Sequence, residues 1–328
     1  MTYENIIVVG ATGLVGIEFI KLFENKDNLI LISFNNVGKI CPFTGLEFKG
    51  LKDIDYSKNN IYINCANSDQ AIEIANKMNS NSYLIDNSSQ FRMNENIPLI
   101  IPEINFEDIK NYNSRIIANP NCSTIILAML LNPFIKNKHN IKRIIVSTYQ
   151  AASGAGKVGL DELLIQTNEF VMKKELTTNY WKQQYLFNTF VHNSPIESNG
   201  YCQEENKLIN ETTKIFNTKI KISPTCVRVP VLRSHCESVN IEFENEIDFD
   251  TIINLIKNEN ETLELINDDH NFPSSISSNN KHQVQVGHIR QDLSLDENKG
   301  WNFWISGDQL LRGAAYNAYL IMLKIFNL

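Results

Sequence analysis

No Cys-x-x-Cys pair and no cluster of cysteine and histidine at metal-ligand spacing occurs in these 328 residues. Cys41, Cys65, Cys122, Cys202, Cys226 and Cys236 are scattered along the chain. That spacing speaks against a disulfide framework, leaves no metal site to expect, and points to a reducing cytosol. Long apolar runs are missing as well: the longest, Ile125 to Leu131, is far too short to cross a bilayer. The amino terminus, Met1-Thr2-Tyr3-Glu4, lacks the basic and apolar regions of a signal peptide, so a cytoplasmic protein is expected. Positive charge is in short supply: the net charge is −7 and no long basic run occurs. Neither nucleic acid nor an anionic membrane is therefore an expected partner. Arginine is scarce too, with seven of the 30 basic residues. Where this chain still uses one, as at Arg92 and Arg228, a forked guanidinium for a carboxylate or phosphate is a reasonable expectation.

The length, in a chain that is 43% hydrophobic, calls for two domains. Asn5 to Val9 reads as a buried strand, running through a glycine-rich turn into a helix with Phe19, Ile20, Leu22 and Phe23. Strands follow at Leu29–Phe34, Ile61–Ala66, Tyr83–Asp86 and Arg115–Ala118, with a helix from Asp69 to Met78. Such alternation predicts a Rossmann-like, doubly wound parallel sheet. From residue 141 the texture changes. Strands are expected at Ile141–Gln150, Ile220–Val229, Ser238–Phe243, Val284–Arg290 and Trp301–Ile305, with helices at Val158–Phe170, Glu204–Phe216 and Phe249–Lys257. This is an α+β domain with a mixed or antiparallel sheet. Leu265–Lys281 reads as a loop or poorly ordered insertion, and Gln309 to Phe326 as a last helix that packs back on the first domain.

Cys122 is the most informative residue. It follows a strand that Pro120 cannot extend, and Asn121, Ser123 and Thr124 favour a helix start. A thiol at a helix N-terminus meets unpaired N–H groups and the positive end of the macrodipole. Its pKa, roughly 8.5 when unperturbed, can then fall far enough to populate the thiolate. A buried, inert cysteine is the plainer reading of that segment alone. Gly10, Gly13 and Gly16 straddle the first strand end and helix start, where a dinucleotide's pyrophosphate would meet a helix N-terminus. A tight turn without ligand is the alternative. The second strand ends in Ser33-Phe34-Asn35-Asn36-Val37-Gly38-Lys39, with no acidic residue for a ribose hydroxyl and no arginine for a 2′-phosphate. Gln150 through Lys157 form a loop of small residues in which Ser153 and Gly154 could meet a nicotinamide or its ribose. Arg228 and His235 are seven apart, on opposite sides of any straight strand, but Pro230 between them makes a straight strand implausible. Glu204 and Lys207 share a helix face and read, by themselves, as a solvated ion pair.

Taken together these segments resemble the aspartate-semialdehyde dehydrogenase family almost end to end. The likeness is carried by GATGLVG at 10–16, DNSSQFRM at 86–93, IPEIN at 101–105, ANPNCST at 118–124 and STYQAASGAG at 147–156. It continues through HNSPIESNGY at 192–201, CVRVPVLRSHCESVN at 226–240, VGHIR at 286–290 and GDQLLRGAAYNA at 307–318. The resemblance implies a dinucleotide-binding domain of residues 1–121 plus 308–328 and a catalytic and dimerisation domain of residues 122–307. It implies that Cys122 is the nucleophile, His235 the acid/base, and Gln150 the residue that orients the acyl intermediate. Arg228 would hold the substrate carboxylate and Glu204 the amino group, while Arg92, Lys207 and Asn121 would bind phosphate. Gly10, Thr12, Gly13, Leu14, Val15, Gly16, Ser33, Asn35, Asn36, Lys39, Ser153, Gly154 and Gln309 would line the cofactor. The implied reaction is reduction of L-4-aspartyl phosphate to L-aspartate 4-semialdehyde by NADPH, in lysine, methionine, threonine and diaminopimelate synthesis, by a homodimer or homotetramer.

This chain departs from the family pattern at the cofactor. Asn35 and Asn36 stand where the family usually has Arg-Ser, and His288 replaces the first arginine of Val-Gly-Arg-Ile-Arg. NADP is the first expectation because Ser33 and Lys39 remain, with NAD the alternative. N-acetyl-γ-glutamyl-phosphate reductase shares the chemistry but carries Pro-Gly-Cys where this chain has Pro120-Asn121-Cys122. A short-chain reductase would need Tyr-x-x-x-Lys, and none of the 11 tyrosines has a lysine four residues on. A non-catalytic dinucleotide sensor is the remaining alternative, since fold never proves activity.

Overall fold

The computed structural model describes residues 3–24, 27–266, 268, 270–295 and 297–326. They form two compact units: Met1–Asn121 with Lys214–Phe216 and Ala314–Leu328, and Cys122–Thr213 with Asn217–Gly313.

The first unit is built on strands β1 (Asn5–Val9), β2 (Leu29–Ile32), β3 (Phe48–Lys49), β4 (Asn60–Asn64), β5 (Tyr83–Asp86) and β6 (Ile116–Ala118), with helices α1 (Leu14–Lys21) and α2 (Ser68–Lys77). The strand order is β3-β2-β1-β4-β5-β6, every pairing parallel. The order reverses between β1 and β4, the point at which ligands bind in doubly wound sheets. Successive side chains of β1 serve opposite faces. Val8 joins Phe19, Ile20, Ile63, Ile321 and Met322 on one side, while Ile7 and Val9 join Tyr62, Ile74 and Leu84 on the other. Burial on both faces explains why these strands read as continuous apolar runs.

The carboxy-terminal helix Tyr316–Phe326 packs on the first of those faces and is pinned there by Asn317 Nδ2, which donates to Ile100 O at 3.0 Å. It is shorter than expected. Leu311–Ala315 is a π-helical turn, and residues up to Gly313 belong to the second unit. The expected boundary at residue 308 therefore moves to 314, and the cause is Asp308. Its buried carboxylate accepts from Arg233 Nε at 2.8 Å and from the N–H groups of Asn280, Leu310 and Leu311. Lys214 is grouped with the first unit because its ammonium donates to the carbonyls of Arg92, Asn94 and Ile97.

The second unit contains α3 (Cys122–Lys136), β7 (Ile141–Gln150), α4 (Gly156–Val171), β8 (Phe190–Val191), α5 (Gln203–Phe216), β9 (Ile222–Arg228), β10 (His235–Phe243), α6 (Phe249–Asn258), β11 (Leu263–Ile266), β12 (Val284–Gln291) and β13 (Gly300–Gly307). Its mixed sheet runs β11-β12-β13-β10-β7-β9-β8. Phe134 of α3 packs its ring against Phe243 and Phe303, which seats α3 on one face of that sheet. The stretch 265–281 is more ordered than expected. It opens as strand β11, and further on Pro273 O accepts from the Trp304 indole at 2.8 Å while Ser278 meets buried Ser306 at 2.8 Å. Asn267 and Asp269, within that stretch, lie outside the described residues.

Candidate active site

In the first unit the glycine turn lies at the switch point of the sheet. Gly10 has φ +81°, and a Cβ there would lie 2.9 Å from the Cys65 carbonyl carbon at the end of β4. A Cβ at Gly16 would sit 2.3 Å from Gly10 O, so helix α1 can approach the turn only through glycine. Helix α1 starts after Gly13 with no side-chain cap. Its first N–H groups, those of Leu14, Val15 and Gly16, are thus left to an anionic group, which fits a dinucleotide pyrophosphate. At the ribose corner Thr12 Oγ1 meets Ser33 Oγ at 3.2 Å, Asn36 N donates to Ser33 Oγ at 3.2 Å, and Lys39 Nζ donates to Asn36 Oδ1 at 3.0 Å. Thr12, Ser33, Asn36 and Lys39 are thereby brought together, and Asn35 is exposed beside them. Arg92, also in this unit, is buried and donates through Nε to Asn119 O at 2.9 Å and through Nη2 to Asn87 O at 2.8 Å. Asn121 is buried too, and the division between the units falls on the bond that joins it to Cys122.

In the second unit Cys122 is the first residue of α3 and is partly exposed. The helix starts three residues earlier than the apolar run implied, which puts the thiol directly at the N-terminal end of the dipole. Gly313 presses against it: a Cβ there would be 2.8 Å from the Cys122 Cβ. From the end of β7, buried Gln150 donates through Nε2 to Ser123 Oγ at 3.1 Å and to Glu204 Oε1 at 3.0 Å. Glu204 in turn pairs with Lys207 Nζ at 2.9 Å. This pair is no solvated surface bridge, because the Glu204 side chain is only 6% exposed. Burial disfavours its charge, but Lys207, His192 and the hydrogen bonds from Lys207 and Gln150 outweigh burial and hold the carboxyl below its usual range.

Arg228 and His235 end β9 and begin β10, and the turn at Pro230 brings both to Gly154. A Cβ on Gly154 would lie 2.9 Å from His235 Cε1, 3.0 Å from His235 Nε2 and 3.1 Å from Arg228 Nη1. Arg228 is buried, lies 5.5 Å from the Trp181 ring and donates to Ala151 O and Asn193 Oδ1. His235 is fully buried, and its pKa is pulled down to about 3, first by burial and then by Arg228. His192 is drawn down to about 4 for the same two reasons. Gln309 joins two predicted site segments: its amide nitrogen donates to Ser153 Oγ and its oxygen accepts from Ser234 N. Ser234 is held at φ +69°, a left-handed conformation that a serine adopts only under constraint, immediately before His235.

Sequence reasoning missed Ser123, His192, Ser234, Asp308 and Gly313. All lie inside the strings that carry the resemblance, at 118–124, 192–201, 226–240 and 307–318, so the resemblance carried a signal for each. The bond from Gln150 to Ser123 joins residues 27 apart, which no spacing reveals.

Glu237 was missed as well. It is completely buried on β10, across from Thr148, and among the described residues neither carboxyl oxygen has a hydrogen-bond partner. Burial raises its pKa well above the ordinary value. The folded chain therefore keeps a proton that the unfolded chain releases above about pH 4.3. Stability is lost as pH rises through that window. Glu237→Gln is expected to raise the Tm by several degrees at about pH 8, an advantage that shrinks to nothing near pH 4. Thermal denaturation at both pH values measures it, and an equal shift at both would contradict the assignment.

A doubly wound sheet with a glycine turn at its switch point, and a mixed-sheet unit with a cysteine opening a helix, are the plan of a semialdehyde dehydrogenase. Residues 5–112 match the family description "Semialdehyde dehydrogenase, NAD binding domain", and residues 131–312 match "Semialdehyde dehydrogenase, dimerisation domain". Relatives named aspartate-semialdehyde dehydrogenase include one from Aquifex aeolicus, 38% identical over 96% of both chains. Another, from Prochlorococcus marinus, is 36% identical over 96% of this chain and 93% of its own. The crystal structure of aspartate semialdehyde dehydrogenase II from Vibrio cholerae superposes with a TM-score of 0.92 at 35% identity, covering 99% of each chain. The same protein complexed with ASA gives 0.91. The chain belongs to the aspartate-semialdehyde dehydrogenase family.

Proposed function

We propose that this enzyme reduces L-4-aspartyl phosphate to L-aspartate 4-semialdehyde and phosphate with NADPH, through a thioester on Cys122, in lysine, methionine, threonine and diaminopimelate synthesis. The observation that carries the reading is the second-unit constellation itself. A partly exposed thiol opens a helix, and in the same unit Gln150 bonds Ser123, the next residue, and Glu204, which pairs with Lys207, while Arg228 and His235 meet at Ala151 and Gly154.

In this reading the Cys122 thiolate adds to the acyl carbon and phosphate leaves, giving a thioester that stays activated. The bound nicotinamide supplies the hydride that completes the reduction. Arg228 holds the substrate α-carboxylate, Glu204 the amino group, and Gln150 the acyl intermediate, so the reacting carbon is fixed over sulfur. Arg92, Asn121 and Lys207 receive the phosphate. His235 attends the oxygen of the reacting carbonyl. At the cofactor, Gly10, Thr12, Gly13, Leu14, Val15 and Gly16 receive the pyrophosphate, while Ser153, Gly154 and Gln309 serve the nicotinamide end. Ser33, Asn35, Asn36 and Lys39 meet the adenine ribose. Lys39 offers the cation that favours NADP there. A homodimer or homotetramer is part of the same reading. It is supported by the dimerisation-domain match and by apolar residues left exposed on and after α4, among them Val158 at 63% and Val171 at 76%. The scattered cysteines suit a cytoplasmic setting.

One assay tests the core of this reading. Mixing the enzyme with L-aspartate 4-semialdehyde, NADP and phosphate should give a rise in NADPH absorbance that vanishes without phosphate. No phosphate-dependent rise would defeat it. Repeating the assay with NAD tests the cofactor separately, and a higher kcat/KM with NAD would overturn the NADP assignment alone.

A further inference from the structure

Trp181 lies between α4 and β8, in a stretch that forms neither helix nor strand, and is only 3% exposed. Two hydrogen bonds fix it to α4. Its backbone N–H donates to Glu162 Oε1 at 3.0 Å, and its indole Nε1–H donates to Gly159 O at 3.1 Å. The ring lies so close to the helix that a Cβ on Gly159 would be 2.8 Å from Trp181 Cζ2. Around it stand Tyr185, with ring centroids 4.3 Å apart, and Phe190, at 6.0 Å. Phe190 on β8 pairs in register with Arg228 on β9, and the Tyr185 hydroxyl donates to the carbonyl of Val229, the next residue. Three aromatic rings thus gather at the end of β9, and the Arg228 guanidinium carbon stands 5.5 Å from the centre of the Trp181 ring.

Arg228 is a buried cation that is weakly held by polar groups. Among the described residues its hydrogen bonds go to Ala151 O at 3.3 Å and Asn193 Oδ1 at 3.4 Å, both uncharged. Both are longer than the usual range of about 2.7–3.2 Å. A buried charge held in that way costs stability unless something compensates for it. The negative face of an aromatic ring within about 6 Å does so without a counter-ion, and tryptophan does it best. A carboxylate side chain in the same place would occupy the N–H fork permanently. A ring leaves the fork to an incoming carboxylate, which must approach in the plane of the guanidinium. A ring tied to α4 at both its backbone and its indole N–H also limits how far that plane can move.

We propose that Trp181 is a positioning residue for Arg228: its ring holds the guanidinium, by a cation–π contact, in the attitude that receives the substrate α-carboxylate. It thereby contributes to the preference for an aldehyde that carries one. The inference rests on the function proposed above and deepens it. Trp181 acts through Arg228 and not on the reacting atoms. The aromatic group could pack as a plain apolar cluster without any cation, so the test must change the charge on the ring face and not its size.

Fluorination of the indole does that, because fluorine withdraws charge from the ring face and leaves the shape and the N–H nearly intact. Full-length enzyme with tryptophan bearing one, two or three ring fluorines at position 181 alone is compared with the parent on two aldehydes. One is L-aspartate 4-semialdehyde; the other is 3-aminopropanal, the same molecule without the carboxylate. KM for the first should rise stepwise, to about tenfold with three fluorines, with kcat held within about twofold. The kcat/KM for the second should stay within about twofold. Trp181→Phe, which keeps an aromatic face, should lose less on the semialdehyde than Trp181→Leu. Equal losses on both aldehydes, or no change on either, would overturn the proposal. The 19F signal of the singly fluorinated enzyme needs no substrate and should move when Arg228→Met is introduced; a signal that stays in place would overturn it as well. Should the parent show no phosphate-dependent turnover of the semialdehyde, the function proposed above falls, while the 19F result still decides whether ring and guanidinium interact.

Discussion

Replacing Cys122 with alanine is expected to lower dehydrogenase turnover by ~10⁴-fold or more, because no other group can carry the acyl chain. The fold should survive it. Position 122 opens α3, alanine is a strong helix former, and the side chain is only partly buried. Dinucleotide binding should also survive, since the glycine turn lies in the first unit. The outcome is read by steady-state kinetics beside fluorescence titration with NADPH. A variant with parental kcat would rule out the covalent route, whereas loss of both turnover and binding would point to misfolding rather than to chemistry.

Gly154→Ala is expected to have the next largest effect for so small a change. The backbone there is not left-handed, so alanine can be accommodated without strain on φ. The added methyl, however, would meet His235 Cε1 at 2.9 Å, His235 Nε2 at 3.0 Å and Arg228 Nη1 at 3.1 Å. Those atoms belong to buried side chains with little room to retreat. A displacement of a few tenths of an ångström in both groups, when they must address one substrate, is expected to cost about 10²-fold in kcat/KM, or about 2.7 kcal/mol of transition-state binding. The Tm should change little. Gly156→Ala makes an informative comparison: its φ of +77° is left-handed and nothing lies within 4 Å of a Cβ there. That change should lower stability while leaving the chemistry nearly intact. Equal kinetic losses in the two variants would argue against the crowding account.

Much of the first unit was legible because its strands are buried on both faces. Asn5–Val9 and Tyr83–Asp86 match the structure to the residue, since continuous apolar runs between short links leave one sensible reading. Ile141–Gln150 in the second unit matches as well. The last helix was misjudged, because apolar periodicity continues from Gln309 while Asp308 caps and anchors the segment before it. The stretch 265–281 was misjudged for the opposite reason. Its serines and asparagines read as loop, yet Ser278 and Asn279 make hydrogen bonds to Ser306 and Ser234 that hold the segment in place.

Local sequence determined the elements and their faces, the switch point in the first sheet, and the placement of Cys122 at a helix start. Each of these depends on residues close together in the chain: apolar spacing, glycine where the backbone must come near, and proline where a strand must end. Only the tertiary structure decided how Arg228 and His235 meet over Gly154, and that Glu204 of the Glu204–Lys207 pair is buried beside Gln150. Those outcomes depend on contacts among β7, β9, β10 and α5, and on the backbone N–H of Ala151, whose partner lies 84 residues away. Hydrogen bonds between distant residues leave no periodic trace in a sequence, which is why the chemistry of the site had to be read from its geometry.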